Sequence, residues 1–411
     1  MCATHPGRFV AGVKRANGFA MKILYHHRTR ATDAQKVHIL EMIEAFRSIG
    51  HEVTVASLVE TQNKPQDPER EARDATWKVL VRKIPFAYEL VQLGYNLIGI
   101  PWLLYRIRRT GVDLVYERYA LLNFSAVCAA RFAGKPVVLE VNSPLALEQT
   151  REKETRAGRF ASWTERLICN AATKVVVVSG PLRRIMIQSG VEPSKLFLLP
   201  NGVNVKRFDV AQDVGALRNS LGIGSRIVIG FVGWFRPWHG LEFLLDAFRK
   251  SSLSGNAVLL LIGDGPVMPR LKAYVEKTGL QHSVVFAGPV SHEEIPRYVK
   301  LIDIAVQPAA NEYCCPMKIL EYMGLAKAIV APRQENIEEL LENGRNALLF
   351  QPGNAESLSR ALVALTTQPE LRTQIGSSAL RTIHERGFLW ESNARKVSEL
   401  LGSNPTVMAC D

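Results

Sequence analysis

Lys318 and Glu321 stand three residues apart in the stretch PMKILEYM (Pro316–Met323), just after an apolar run that ends near Pro308. Proline suits a first helical turn because the amide it lacks would be unpaired there anyway. Counting Pro316 as the first helical residue puts Lys318 in the first turn and Glu321 one turn on, on the same face. Free amides at such a start attract anions. A face of this kind suits a phosphorylated sugar: amides and ammonium take the phosphate, and the carboxylate accepts hydrogen bonds from two neighbouring ribose hydroxyls. A solvated Lys–Glu pair on an ordinary helix has the same letters and contributes only about 0.2–0.5 kcal/mol. The segment alone leaves both readings open.

Whatever these residues do, something must hold them, and 411 residues are too many for one ordinary core. Two domains are the expectation. The composition, 47% hydrophobic and 22% charged, is that of a soluble globular chain. The net charge of +12, from 51 basic and 39 acidic residues, implies a negative partner: a sugar nucleotide, an anionic lipid surface or nucleic acid. Charge cannot choose among them. The six cysteines, at 2, 128, 169, 314, 315 and 410, show no C-x-x-C spacing, so a reducing cytoplasm is the simpler expectation than a disulfide framework or zinc site. Residues 1–20 are basic without the continuous apolar centre of a secretory signal. They read as an untranslated or disordered extension ahead of Met21, where the first good strand begins.

Two α/β series follow. The first runs from strand Lys22–His26 through helix HILEMIEAFRSIG, strand HEVTVA, strand DLVYERY, helix Phe124–Ala133, strand PVVLEVN, helix Phe160–Ala171, strand KVVVVS, helix Pro181–Ser189 and strand KLFLLP to the turn Asn201-Gly202. A weakly patterned linker extends from Phe208 to about Gly224. The second takes in RIVIGFVG, helix Gly240–Lys250, AVLLLIG, SVVFAG, helix Glu293–Leu301, the Lys318 segment, helix Ile337–Glu342, NALLF and helix Ala355–Leu365. Strands alternating with helices on both sides of one linker predict two doubly wound domains facing each other, with ligands in the cleft beyond the strands' carboxyl ends. Between Ile84 and Tyr105 lie 22 residues with a single charge, Glu89, flanked by Lys78, Arg82, Lys83, Arg106, Arg108 and Arg109. Length alone would allow a spanning helix, but Pro85, Pro101, Glu89, Gln92 and Asn96 argue against one. The segment reads as a helix with one face leaning on an anionic membrane, or as a purely internal helical pair.

NGVN (Asn201–Asn204), GWFRPWHGLEFLLDAF (Gly233–Phe248), LIGDGP (Leu261–Pro266), FAGPV (Phe286–Val290), PMKILEYM and NGRNALLFQPGN stand in an order and spacing that resembles glycosyltransferase family 4. The resemblance covers roughly Met21 to Trp390. It implies a GT-B fold, α/β with two Rossmann-like domains across a deep cleft: residues 21–208 on the acceptor side, 209–387 on the nucleotide-sugar side, and 388–411 crossing back onto the first. It implies transfer of a sugar, with retention of configuration, from a UDP- or GDP-linked donor to a glycan, polysaccharide or lipid-linked acceptor.

The resemblance also assigns residues. The loop from Gly233 should carry an Arg and a Lys for the donor diphosphate, but those positions hold Trp234 and His239. Arg236 in the same loop offers a replacement fork, and His239 can share the task if protonated; a loop held by packing of Trp234 and Trp238 is the alternative. Gly288-Pro289-Val290 corresponds to the segment whose backbone reads the base. Lys318 and Ile319 fall in the phosphate-binding helix start, and Glu321 matches the ribose glutamate that ends E-x-x-x-x-x-x-x-E. The first glutamate of that motif falls on Tyr313, so either Glu312, one residue early, is delivered by a loop shift, or amides near Cys314–Met317 hold the donor sugar alone. On the acceptor wall, Ala31–Lys36 replaces a glycine-rich loop and His38 opens the next helix. Glu140 and Asn142 end a strand, where a carboxylate can take the acceptor's proton or serve as a buried anchor. The absence of an Asp-x-Asp sequence predicts no metal and no cofactor beyond the donor.

The expected setting is cytoplasmic, with contact to the inner face of a membrane. A non-catalytic sugar-nucleotide-binding subunit is the rival, motivated by Trp234, His239 and Tyr313. A basic nucleic-acid-binding protein is a weaker one, since no groove-reading module is present and no nucleic acid is expected.

Overall fold

The computed structural model describes residues 20–29, 34–58, 87–151, 157–208, 214–253, 255–291 and 293–402. The leading segment to residue 19, residues 31–33, and Lys78, Arg82 and Lys83 lie outside the described residues; the helix expected to open at His38 begins at Ala34, so residues 34–36 of the expected loop are helical and His38 lies in the second turn.

Apolar strands of five or six residues that are hydrophobic on both faces need cover on both sides, and two helix-covered parallel sheets supply it. The first half comprises β1 (Lys22–His26), α1 (Ala34–Ser48), β2 (Glu52–Ala56), α2 (Ala87–Thr110), β3 (Leu114–Arg118), α3 (Ser125–Phe132), β4 (Val137–Val141), α4 (Leu145–Arg151), α5 (Gly158–Ala171), β5 (Lys174–Val177), α6 (Gly180–Gln188) and β6 (Leu196–Leu198). Its sheet is ordered β2-β1-β3-β4-β5-β6. The second half comprises α7 (Val214–Ser220), β7 (Ile227–Val232), α8 (Leu241–Lys250), β8 (Ala257–Ile262), α9 (Met268–Thr278), β9 (Val284–Gly288), α10 (Ile295–Leu301), β10 (Ile304–Val306), α11 (Met317–Gly324), β11 (Ala328–Pro332), α12 (Glu335–Glu338), β12 (Leu348–Phe350), α13 (Ala355–Thr367), α14 (Pro369–Arg386) and α15 (Trp390–Gly402). Its sheet runs β12-β11-β10-β7-β8-β9. The order reverses between β1 and β3 in one sheet and between β7 and β10 in the other. Connections at such a point leave for opposite faces and open a crevice at the strands' carboxyl ends.

The spacing of Leu241, Leu244, Leu245 and Phe248 predicts the buried face of α8, and all four are buried. The chain departs from the sequence-based elements where apolar residues are few. Helix α9 buries only Leu271 and Val275, and α7, inside the expected linker, buries only Leu217. Helix α4 buries only Ala146. Helix α14 buries small or widely spaced side chains such as Ile375, Ala379 and Ile383. The first three give no clear apolar period, whereas Ile375, Ala379 and Ile383 of α14 recur every fourth residue, a helical spacing.

The stretch around Glu89 is one continuous helix, α2, rather than a pair, with Pro101 in its exposed side. Asn96 is buried and ties it inward, donating to the Leu122 carbonyl at 2.8 Å and accepting from the Phe124 amide at 2.9 Å. Leu90, Val91, Leu97, Ile98 and Tyr105 face outward, Leu97 being 80% exposed. Among the described residues no helix is long and apolar enough to cross a membrane.

The last helix, α15, packs on α1. Trp390, Ala394 and Val397 share a core with Ile39, Met42, Ile43 and Phe46, and Asn393 donates to the Pro200 carbonyl at 2.7 Å. At the crossing, Val203 bridges to Leu389, and a Cβ on Gly202 would lie 2.4 Å from the Trp390 nitrogen. Only glycine lets the two backbones meet there.

Candidate active site

One wall of the cleft is built from the loops after β7 and β10, on either side of the second sheet's reversal point. Gly233 directly follows β7 with φ +145°, and a Cβ on it would lie 2.4 Å from Lys318 Cε. The bare backbone is what lets the Lys318 stem through. Its ammonium sits 3.3 Å from His239 Nε2 and 5.3 Å from the centre of the Phe231 ring. His239 Nδ1 lies 2.6 Å from the Trp234 carbonyl, which can only accept, so Nδ1 carries the proton and Nε2 offers a lone pair to the ammonium. Burial lowers the His239 pKa to about 3, and the Lys318 charge adds to the shift. The imidazole is neutral here and orients Lys318 rather than adding a second cation. Burial also lowers the Lys318 pKa, against the pull of Glu321 and Cys314.

The Gly233 loop is anchored by Phe235, which is fully buried, and not by its tryptophans; Trp234 and Trp238 are 52% and 44% exposed. Arg236 is exposed, its guanidinium 5.3 Å from the Trp238 ring centre.

Helix α11 begins at Met317, one residue later than the sequence suggests, because Pro316 has an extended ψ of 112° and acts as the cap. Lys318 remains in the first turn. The Ile319 amide closes onto the Pro316 carbonyl at 3.1 Å and its side chain is buried in the core, leaving the Met317 and Lys318 amides as those without an intrahelical acceptor. Glu321, one turn on, borders a pocket between the two halves, together with Glu41, Asn204, Arg207 and Met317. Burial raises its pKa to about 7, with Lys318 and Arg207 opposing and Glu41 assisting. Gly288 adopts φ +75° and its carbonyl accepts from the Gly263 amide at 2.8 Å, presenting Pro289 exposed and Val290 half-buried. Glu312 is exposed. Tyr313 points inward instead, its hydroxyl donating to Glu148 of the first domain at 2.6 Å.

On the facing wall, His38, Glu140 and Asn142 come together around a residue that sequence reasoning overlooked. Arg118 is the register partner of Glu140 on the neighbouring strand and donates to its Oε1 at 2.8 Å. The same guanidinium nitrogen lies 3.0 Å from His38 Nδ1, so that nitrogen accepts and Nε2–H is shared between Asn201 Oδ1 at 3.0 Å and Glu140 at 3.3 Å. Tyr116 donates to Glu140 Oε2 at 2.7 Å and Asn142 donates to Oε1. Burial pushes the Glu140 pKa up, but His38, Arg118 and the two side-chain donors outweigh it and the carboxyl is held below its usual range. Burial lowers the His38 pKa to about 4.

These two walls are joined. Asn201 Nδ2 donates to the Cys315 carbonyl at 2.8 Å and its amide to Cys315 Sγ at 3.3 Å. Ser179 Oγ donates to the Tyr313 carbonyl at 2.7 Å, the Gly180 amide to Glu339 at 2.9 Å, and Arg184 pairs with Glu335. The Asn201-Gly202 turn is visible in the sequence; its partner Cys315 is not.

Residues 35–207 match the family described as Glycosyltransferase Family 4, and residues 226–368 match the one described as Glycosyl transferases group 1. The chain belongs to glycosyltransferase family 4. This family member is 26% identical over 257 residues to alpha-D-kanosaminyltransferase of Streptomyces kanamyceticus, a match covering 61% of this chain and 66% of that enzyme, just under two thirds of its length. It is 25% identical over 301 residues to UDP-Gal:alpha-D-GlcNAc-diphosphoundecaprenol alpha-1,3-galactosyltransferase of Escherichia coli, covering 72% and 76% of the two chains. Anabaena HepE, solved with UDP and glucose, is similar in fold at TM-score 0.68 and 19% identity, covering 93% of this chain and 100% of that one. The two helix-covered parallel sheets facing across a cleft are the GT-B fold.

Proposed function

We propose that this family 4 member moves a sugar from a UDP- or GDP-linked donor to a glycan, polysaccharide or lipid-linked acceptor, with retention of configuration and without a metal ion. The observation that carries this reading is Lys318, threaded past Gly233 and held by His239 at the start of α11, with Glu321 one turn away on the cleft. As the bond to the sugar breaks, negative charge collects on the departing diphosphate. A fixed ammonium and the Met317 and Lys318 amides stabilise that charge without reorganising. Arg236, free to swing from its exposed loop, adds a fork suited to phosphate oxygens. Glu321 takes the ribose hydroxyls, and the Gly288–Val290 backbone faces the base. The E. coli relative's use of a UDP-linked sugar and a diphospholipid acceptor supports the substrate classes.

On the acceptor wall, Glu140 already accepts from four side chains, so its role in this reading is to hold Arg118, His38 and Asn142 in place. The outward apolar side of α2, with Arg108 and Arg109 at its end, suits contact with an anionic membrane at its cytoplasmic face.

A thermal-shift panel of UDP, GDP and their sugar derivatives tests the reading, since specific binding raises the melting temperature with the logarithm of ligand excess. Stabilisation by one nucleotide series, lost in Glu321→Ala, is expected. No stabilisation by any of them overturns it. Donor binding without transfer or hydrolysis would favour the non-catalytic alternative.

A further inference from the structure

Tyr313 stands where the family resemblance places a carboxylate for the donor sugar, and the loop does not shift to present Glu312, which is exposed. A carboxylate nevertheless meets the tip of the Tyr313 side chain, and it comes from the opposite domain. Glu148, in α4, reaches across so that Oε1 accepts from the Tyr313 hydroxyl at 2.6 Å, while Oε2 accepts from Ser143 Oγ at 2.9 Å. The Tyr313 backbone is held in turn by Ser179 Oγ on its carbonyl at 2.7 Å.

Three donors from three elements thus fix one carboxylate and its partner. Each carboxylate oxygen carries two lone pairs, so each has one left after these bonds. The side chain is only partly buried. Its position relative to the phosphate machinery is marked by Cys314. That thiol, pushed up to about 11 by burial, feels both the Lys318 charge, which lowers it, and the Glu148 charge, which raises it. Tyr313 stands five residues before Lys318, so the carboxylate it holds and the ammonium border the same loop-and-helix start.

We propose that Glu148 is the residue that reads the donor sugar's ring hydroxyls, with Tyr313 and Ser143 as positioning residues. This rests on the nucleotide-sugar reading above. The carboxylate that the second domain lacks is supplied by the first, so sugar recognition requires the two domains to meet at Tyr313 and Glu148. A bare nucleotide needs only the second domain's residues and is indifferent to Glu148. A sugar with an inverted or missing hydroxyl leaves this carboxylate unpaired and is discriminated against.

The test compares the full-length protein with Glu148→Gln, Tyr313→Phe and Arg184→Ala by calorimetry against UDP and UDP-glucose, and against GDP and GDP-mannose. The last variant cuts an exposed clasp between the domains that does not touch Glu148 or Tyr313. For the pair that binds, the ratio of the sugar-nucleotide Kd to the nucleotide Kd is the readout. Glu148→Gln should raise this ratio about tenfold or more, the scale of a hydrogen bond to a charged group, with the nucleotide Kd unchanged. Tyr313→Phe should raise it by a smaller factor, and Arg184→Ala should leave it at the wild-type value. An unchanged ratio in Glu148→Gln, or an equal rise in Arg184→Ala, overturns the proposal. Failure of every nucleotide to bind the wild type defeats the donor reading instead, so the two failures are told apart.

Discussion

His239 Nε2 faces the Lys318 ammonium at 3.3 Å with its lone pair, because Nδ1–H is committed to the Trp234 carbonyl. A position where the family resemblance expects a cation is occupied by a neutral acceptor that aims the cation next to it. His239→Ala should therefore lower kcat/KM by about 10- to 100-fold, the cost of one hydrogen bond to a charged group. Gly233→Ala should act through the same ammonium, since its Cβ would fall on the Lys318 stem. Steady-state kinetics on the double variant should show a loss clearly smaller than the product of the two single losses; multiplicative losses would separate the two residues.

Glu321 titrates near pH 7 because burial outweighs its cationic neighbours. In the proposed site ribose hydroxyls donate to the ionised form, so binding must first deprotonate it at lower pH. Nucleotide affinity should fall as pH drops below 7, approaching tenfold per unit, and flatten above 8. The pKa is raised on folding, so ionising Glu321 above that value weakens the empty protein. Glu321→Gln should raise the melting temperature at pH 8 and have little effect at pH 5. A pH-independent nucleotide affinity would remove Glu321 from the ribose site.

Arg236 is exposed and stacked on Trp238, with no buried partner to lose. Arg236→Ala should leave the melting temperature within about one degree, as surface changes do. If the fork closes only on the departing diphosphate, kcat falls about 10-fold or more with KM little moved. Rapid-quench measurement of a single turnover checks this; a wild-type rate would mean that another cation neutralises the charge.

Removing Glu140 strands Arg118, whose side chain is only 11% exposed, beside His38. Glu140→Ala should destabilise by about 3–5 kcal/mol in urea unfolding, the range for breaking a buried pair. Because the carboxyl is held below its usual range, its stabilisation is present above about pH 4–5 and is lost as pH falls through the folded value. The wild-type advantage over Glu140→Ala should accordingly shrink in acid. An equally stable variant at pH 7 would show that this network does not hold the wall.

Leu97 and Ile98 are 80% and 66% exposed on the outer side of α2. Replacing both with Glu should abolish co-sedimentation with vesicles containing anionic lipid while leaving nucleotide affinity intact. Equal vesicle binding by wild type and variant would discard this helix as the membrane contact.

The sequence by itself determined the alternation of strands and helices, because apolar runs and the period of Leu241, Leu244, Leu245 and Phe248 need no partner to be read. It also put Lys318 and Glu321 on one face, because helical spacing is a local property. It misplaced the helix start by one residue, since the ψ of Pro316 answers to the loop before it. Helices such as α9 and α7 were illegible because their burial comes from one or two apolar side chains. Tertiary structure alone decided that Arg118 binds Glu140, that His239 is a neutral acceptor, and that Glu148 faces Tyr313 from 165 positions away. Strand register and domain docking bring these groups together, and their hydrogen bonds fix which nitrogen carries a proton and which carboxylate remains open; no spacing along the chain encodes either.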